Sequence, residues 1–264
     1  MTKTALIDGD ILLYEIGFAA EAGWKGDGVP PFEYVEEILL ERIQHIIRNS
    51  EATDCIVFLT GKTNFRTEVA KLRPYKERPS HKPFHYYNIK AYLKANFDCR
   101  WEEGLEADDL MSIYQAGSND PNSTIICTRD KDLRQVPGWH FGWELGNQPQ
   151  FGPHLVDEMG KIELIRKPNS VKLTGYGTMF FYAQLLLGDS VDTVPGLPKM
   201  GAVKAFKTLD GSATLEEAFN RVVEAYKASY GDDWKAQLEE QGQLLWMVRS
   251  TDENNKPVMW RVPE

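Results

Sequence analysis

The sequence predicts an α/β fold: a central, mainly parallel sheet with flanking helices, followed by a helical C-terminal region. Three observations predict it. Short β-branched runs alternate with helical patterns through the first half, as right-handed β-α-β crossovers require. After about residue 178 the pattern becomes helical throughout. The length of 264 residues, with 42% hydrophobic and 26% charged side chains, suits one large α/β domain or two modest ones.

In order, Ala5 to Ile7, Cys55 to Leu59, Cys99 to Glu102 and Thr124 to Cys127 read as strands. Helices are expected between them over 33–49, 84–95 and 106–116. Trp139 to Glu144 is a further strand candidate, and Leu155 to Arg166 a hairpin folding back near Met159 and Gly160. Helices are expected over 178–187, 200–209, 215–230 and 234–249. The division expected is an α/β core over 1–175, with a basic segment over 60–104, and a helical region over 176–264.

No run reaches the ~18 apolar residues of a membrane span, and the N-terminus lacks the pattern of a secretory signal. Three cysteines without C-x-x-C spacing fit a reducing interior. The expectation is a soluble, cytoplasmic protein with no membrane partner. A net charge of −9 argues at first against a nucleic-acid partner. Its distribution argues otherwise. Between Thr60 and Lys94 stand nine Lys or Arg against two acids, so this segment is +7 and the rest of the chain −16. Phe65, Tyr75, Phe84, Tyr86, Tyr87 and Tyr92 interleave with the bases. Such a segment either tracks phosphates and stacks on bases or is a solvated face; charge alone leaves both readings open.

The acids cluster where open parallel sheets hold ligands, beyond the carboxyl ends of strands. Asp8 and Asp10 follow the first strand, and Asp130 and Asp132 follow the strand ending at Cys127. Glu106 and Asp109 share a helical face, with Asp108 in the same first turn; Asp189 and Asp192 end a helix. Each pair alone reads as an ordinary cap or turn. Together, without a comparable set of His and Cys, they describe an oxygen-donor site suited to Mg²⁺ or Mn²⁺ and not to Zn²⁺. Two such ions would stabilise the attacking and leaving oxygens of a phosphodiester displacement. Gly61-Lys62-Thr63 lacks the glycine a P-loop needs five positions earlier, and the five histidines form no H-E-x-x-H. Cys55, Cys99 and Cys127 fall in strand-like runs as buried thiols.

The motif series carries a resemblance. It runs through Ile7-Asp8-Gly9, Phe65-Arg66, Tyr75-Lys76-x-Arg78, Leu105-Glu106-Ala107-Asp108-Asp109 and Thr128-Arg129-Asp130-Lys131-Asp132. It ends with Gly188-Asp189-x-x-Asp192-x-x-x-Gly196-Leu197-x-x-x-Gly201. Over about residues 4–210 this order resembles the 5′-nuclease (flap endonuclease-like) family, and the C-terminal EEQGQLLWMVRS and VMWRVP resemble its short phage-type 5′–3′ exonucleases. The resemblance implies a PIN/5′-nuclease-like fold with a helix–turn–helix duplex-binding element. It implies one metal site from Asp8, Glu106, Asp108 and Asp109, and a second from Asp130, Asp132, Asp189 and Asp192. Lys76 and Arg78 would hold the scissile phosphate at the base of an arch. Arg66, Arg73, Tyr75, Gly196, Lys199, Gly201 and Lys204 would contact DNA, with K⁺ at the turn around Gly196. The partner implied is double-stranded DNA with 5′ ends, flaps or nicks, and RNA–DNA as a further substrate; protein partners are not implied. The cytoplasm would be the host's if the chain is phage-encoded.

Two departures stand out. Relatives carry an Asp where this chain has Gly61, and Asp10 is the candidate to compensate. The Tyr-Lys-x-Arg run is one residue shorter than the usual Tyr-Lys-x-x-Arg. Two other functions therefore stand beside a 5′–3′ exonuclease: a non-catalytic or metal-deficient DNA-end or junction binder, and a PIN-type ribonuclease.

Overall fold

The computed structural model describes residues 2–76 and 81–263. The chain begins β1 (Thr4–Asp8), α1 (Gly9–Gly23), α2 (Phe32–Asn49), β2 (Asp54–Phe58), a single turn α3 (Arg66–Val69) and α4 (Tyr86–Asn96). There follow β3 (Cys99–Arg100), α5 (Ala107–Ala116), β4 (Thr124–Cys127), β5 (Gly138–Gly142) and β6 (Phe151–Val156). The hairpin strands β7 (Lys161–Lys167) and β8 (Ser170–Tyr176) lead into α6 (Gly177–Leu187), α7 (Ala202–Leu209), α8 (Leu215–Tyr230) and α9 (Trp234–Leu245). Two compact units interleave along the chain. The first comprises Met1–Thr63, Ser80–Lys131 and Gly138–Leu155; the second comprises Asn64–Pro79, Asp132–Pro137 and Val156–Glu264.

The first unit is built on a six-stranded sheet in the order β3-β2-β1-β4-β5-β6. From β3 to β5 every neighbouring pair is parallel, with Leu6 of β1 in register with Ile56 on one side and Ile126 on the other. The central strands are buried on both faces, which is why they read as continuous apolar runs instead of alternating ones. Leu12, Leu13 and Ile16 of α1 and Val35, Leu39, Ile43 and Ile46 of α2 belong to the same buried cluster as the strands. The spacing of the α2 residues draws a single helical stripe. Chain order steps one way from β1 through β2 to β3 and the other way from β4 to β5, so the sheet reverses between β1 and β4. Beyond the carboxyl ends of those two strands lies the natural place for a ligand.

The second unit packs around α6, buried on all sides from Gly177 to Leu186. A helix apolar all round is a core helix. Phe181, Leu185 and Leu186 of α6 share a cluster with Val222 and Tyr226 of α8 and Leu238 and Leu245 of α9. The Thr214 hydroxyl accepts the Glu217 N–H at 3.1 Å and caps α8. No helix among the described residues is long and apolar enough to cross a membrane.

Several elements differ from expectation, and neither the turn α3 nor strand β6 is among those expected. Helix α1 has no counterpart in the sequence reading, because Gly9, Gly17 and Gly23 weaken its pattern. Gly9 is there for close approach: a Cβ would meet the Phe58 carbonyl oxygen at 2.6 Å. The hairpin does not fold back at Met159 and Gly160. It pairs Lys161–Lys167 with Ser170–Tyr176 and turns at Pro168 and Asn169, while Gly160, at φ +69°, makes the turn before it. Finally, α9 stops at Leu245 instead of 249, because the extended chain beyond it has other partners. The Met247 N–H donates to Gln135 Oε1 at 3.1 Å, and Arg66 donates to the Leu244 and Trp246 carbonyls at 3.0 and 2.9 Å.

Arg66 is thus an internal strut of the second unit, only 1% exposed and stacked over Phe65 at 4.6 Å. Its truncation would leave two carbonyls without that donor. Arg66→Ala is expected to lower unfolding free energy by about 2–4 kcal/mol, measured by urea denaturation. Arg66→Lys should recover only part, since an ammonium lacks the planar fork.

Candidate active site

In the first unit the carboxylates gather where the sheet reverses. Asp8 is both the last residue of β1 and the N-cap of α1, its Oδ1 accepting the Ile11 N–H at 3.2 Å. Its Oδ2 accepts the Thr128 hydroxyl at 2.7 Å, and Thr128 Oγ1 in turn accepts the Asp130 N–H at 2.9 Å. Thr128 therefore ties the Asp8 carboxylate at the end of β1 to the Asp130 backbone beyond β4. Asp8 is 3% exposed. Burial, then the nearby charges of Asp10 and Asp130, push its pKa up to about 7, against the lowering effect of its hydrogen bonds.

Asp10, in the first turn of α1, accepts the Thr60 N–H at 3.1 Å through Oδ2. Burial raises its pKa, and Glu106 raises it further, while Thr60 and Lys90 act the other way. Thr60 Oγ1 accepts the Ala107 N–H at 3.0 Å, fixing the exit of β2 to the start of α5. There Glu106 and Asp109 form a capping box: the Glu106 side chain receives the Asp109 N–H, and Asp109 Oδ2 receives the Glu106 N–H at 3.4 Å. Asp109 is completely buried, whereas Asp108 is half-exposed. Asp10 and Asp130 thus lie within electrostatic reach of Asp8, and Glu106 within reach of Asp10.

The second unit holds the other acids. Asp132 opens a short 3-10 turn, and its Oδ1 accepts the Gln184 side-chain N–H at 2.7 Å. Gln184 was visible in the sequence only as an interruption of an apolar run; it is the buried group that fixes the Asp132 carboxylate. Asp189 closes the turn after α6, Oδ1 accepting the Val191 N–H at 2.7 Å. Asp192 Oδ2 accepts the Tyr75 hydroxyl at 3.2 Å, and its Oδ1 lies 3.8 Å from Lys76 Nζ. The structure therefore brings Tyr75, Lys76 and Asp192 together.

The expected DNA contacts divide. Arg73, Lys199, Gly201 and Lys204 are exposed, with Gly201 as the N-cap of α7. Gly196 is buried, its N–H donating to Gln241 Oε1 at 2.7 Å and its carbonyl accepting the Tyr230 hydroxyl at 3.2 Å. Arg66 is likewise inside, as described above. Arg78 lies outside the described residues.

Among the described residues no three His, Cys, Asp or Glu side chains stand together as a ready-made metal cage. The donor set still fits a hard divalent cation. It is all oxygen, and the charges of Asp10 and Asp130 help raise the pKa of the buried Asp8. Mg²⁺ keeps several waters and takes only one or two carboxylates plus phosphate oxygens, so it needs no closed protein cage. His140 and His85 are buried, and His85 donates to or accepts from backbone and Asn88 in the packing around α4, not the carboxylates.

A raised carboxyl pKa means that the folded state holds the proton more tightly than the unfolded chain. Asp8 then adds stability that is fully present below pH ~4 and is lost as pH rises through about 7. In EDTA at pH 8, Asp8→Asn is accordingly expected to unfold at higher temperature than the unmodified chain, an advantage that vanishes at pH 4. The amide keeps an oxygen to accept from Thr128 and Ile11. Thermal unfolding of both proteins across this range measures the effect.

No protein-family model matches the chain. DNA polymerase I of Lactococcus lactis subsp. cremoris is 28% identical over 252 residues, which is 86% of this chain but 26% of the polymerase. The chain thus spans about a quarter of the length of that relative. A 5′–3′ exonuclease of Buchnera aphidicola subsp. Schizaphis graminum is 23% identical over 231 residues, covering 82% of this chain and 73% of that one. Among solved structures, the bacteriophage T5 flap endonuclease with DNA and metal ions aligns at a TM-score of 0.54 and 14% identity, over 92% of this chain and 99% of that one. The zinc-bound T5 5′-exonuclease aligns at 0.52 and 16% identity, over 93% and 100%. In sequence and in fold alike, the chain resembles the 5′-nuclease, flap endonuclease-like family.

Proposed function

We propose that the chain is a metal-dependent 5′–3′ exonuclease, also cleaving 5′ flaps, that hydrolyses phosphodiester bonds of DNA by a two-metal mechanism. The observation that carries this reading is the Asp8–Thr128–Asp130 linkage across the reversal point of a parallel sheet. It holds the Asp8 carboxylate and the Asp130 backbone where such sheets bind ligands, in a fold shared with solved nucleases. Asp8, Glu106, Asp108 and Asp109 would serve the first ion, and Asp130, Asp132, Asp189 and Asp192 the second. Of these, Asp109 is fully buried and engaged in the capping box of α5. Divalent ions, Mg²⁺ or Mn²⁺, would supply a lowered pKa for attacking water and charge neutralisation for the leaving oxygen.

This chain's own residues do the rest. Gln184 holds Asp132 in one orientation. Lys76 and Arg78 bind the scissile phosphate, and Asp192 orients Tyr75 and Lys76 towards that task. Arg73 and Tyr75 extend the basic segment's grip on the strand. Lys199, Gly201 and Lys204 receive duplex phosphates at the start of α7, where unpaired N–H groups favour an anion. Gly196 and Arg66 act from inside, by shaping the turn and the segment they belong to. K⁺ is assigned to the turn at Gly196. In this reading, residues 1–175 form the nuclease core with its basic segment 60–104, and 176–264 the DNA-binding region. The partners are duplexes with 5′ ends, flaps or nicks, DNA or RNA–DNA, and the site of action is the cytoplasm, the host's if the chain is phage-encoded.

A 5′-labelled panel of duplex, nicked, flapped and RNA-containing substrates with Mg²⁺ or EDTA tests the reading. Mg²⁺-dependent release from 5′ ends is expected. Asp130→Ala and Asp132→Ala should each cut the rate by more than the ~10–100-fold typical of losing an outer partner, with duplex affinity retained. Tight binding without release would favour an end-binding protein, which Gly61 motivates, and preferential cutting of RNA would favour a ribonuclease.

A further inference from the structure

The chain after β2 offers the first carboxylate set the Thr60 side chain, and at Gly61 no side chain at all. At Gly61 a Cβ would run into the Glu102 carbonyl oxygen, with the Glu102 carbonyl carbon at 3.1 Å and Glu103 Cα at 3.2 Å. These are backbone atoms, which cannot swing aside as a flexible side chain would. Glu103 braces the same stretch, its carboxylate accepting the Lys62 N–H at 2.9 Å. No carboxylate can therefore be delivered here from position 61 while the backbone keeps this path.

One arrives from the other side. Asp10 projects from the first turn of α1 to Thr60, where Oδ2 accepts the N–H at 3.1 Å and the Thr60 side chain donates as well. The Thr60 hydroxyl oxygen is itself held by the Ala107 N–H at 3.0 Å, at the start of the helix that carries Asp108. Asp10 acts electrostatically on Asp8, and Glu106 and the Lys90 ammonium act on Asp10. Lys90 Nζ meanwhile donates to the Thr60 carbonyl at 3.3 Å. Bracing Thr60 requires only one acceptor oxygen, which a neutral amide would provide. A carboxylate has about four acceptor sites, and Thr60 takes two. The remaining acceptor capacity, and an anionic charge set among other anions, are what a structural role does not explain.

We propose that Asp10 ligates the divalent cation of the first carboxylate set, taking from α1 the place that Gly61 leaves without a side chain. This rests on the metal-dependent reading above. Thr60 is the positioning residue that aims the Asp10 carboxylate, and Lys90 sets its charge balance.

The test is Mn²⁺ titration of the full chain by calorimetry, without DNA, for the unmodified protein and for Asp10→Asn, Asp10→Glu and Asp8→Asn. Asp10→Asn should weaken the tighter Mn²⁺ site by about tenfold or more while leaving the unfolding temperature in EDTA undiminished, because the amide oxygen still accepts from Thr60. Asp10→Glu, which keeps the charge, should recover most of the affinity; it also serves should the amide variant fail to fold. If Asp10→Asn binds Mn²⁺ within twofold of the unmodified chain while Asp8→Asn is impaired, Asp10 only braces Thr60 and the proposal fails alone. If the unmodified chain takes up no Mn²⁺, the proposal and the metal-dependent reading fail together.

Discussion

Carboxylate burial at the exit of β1 is the constraint around which the first unit is arranged. Asp8 is almost without solvent, yet two other carboxylates act on it. Removing a carboxylate from water is unfavourable unless donors replace the water, and a like charge nearby makes it worse. The fold answers with donors from three directions: a helix N-terminus through Ile11, the hydroxyl of Thr128, and the Thr60 amide one residue pair away on Asp10. Each donor comes from an element whose place is fixed by the sheet order. The parallel core, covered on both faces, is what keeps those donors rigid.

The second unit shows the same principle with amides and a guanidinium as the buried groups. Polar side chains are threaded through an apolar core and paired in sequence. Gln184 donates to Asp132, Gln135 donates to the Leu245 carbonyl, Gln241 accepts from Gly196 and Arg66 caps the end of α9. Each is buried, and each would be destabilising if left unpaired. Such paired groups discriminate between the native arrangement and a merely compact one, because sliding any helix orphans a donor or an acceptor.

Legibility in the sequence followed from the physics of each signal. Parallel strands buried on both faces announce themselves as apolar runs, and helices with a single stripe, such as α2 and α8, by their period. The acids were legible because they lie next to strand ends, which sequence locates well. What escaped depends on partners far along the chain. Helix α1 was hidden by glycines that serve contacts with β2 and with Pro83. The early stop of α9 depends on Arg66 and Gln135, more than a hundred residues away. Arg66 and Gly196 read as surface groups because charge and turn chemistry say nothing of burial. The roles of Thr60, Thr128 and Gln184 were invisible for the same reason: a hydroxyl or amide has no pattern of its own until the fold supplies its acceptor.

The pairing of Asp192 with Tyr75 and Lys76 carries a further consequence. A single carboxylate cannot be given wholly to two claimants, so any cation that attracts Asp192 competes with the phenol and the ammonium that hold it. Linkage makes this competition reciprocal: whatever the cation takes from Tyr75 and Lys76, those groups take from the cation's affinity when they are left in place. An anionic strand that engages Lys76 relieves the competition from the other side. Occupancy by metal and occupancy by strand would then be cooperative through one side chain, with no movement of the backbone required.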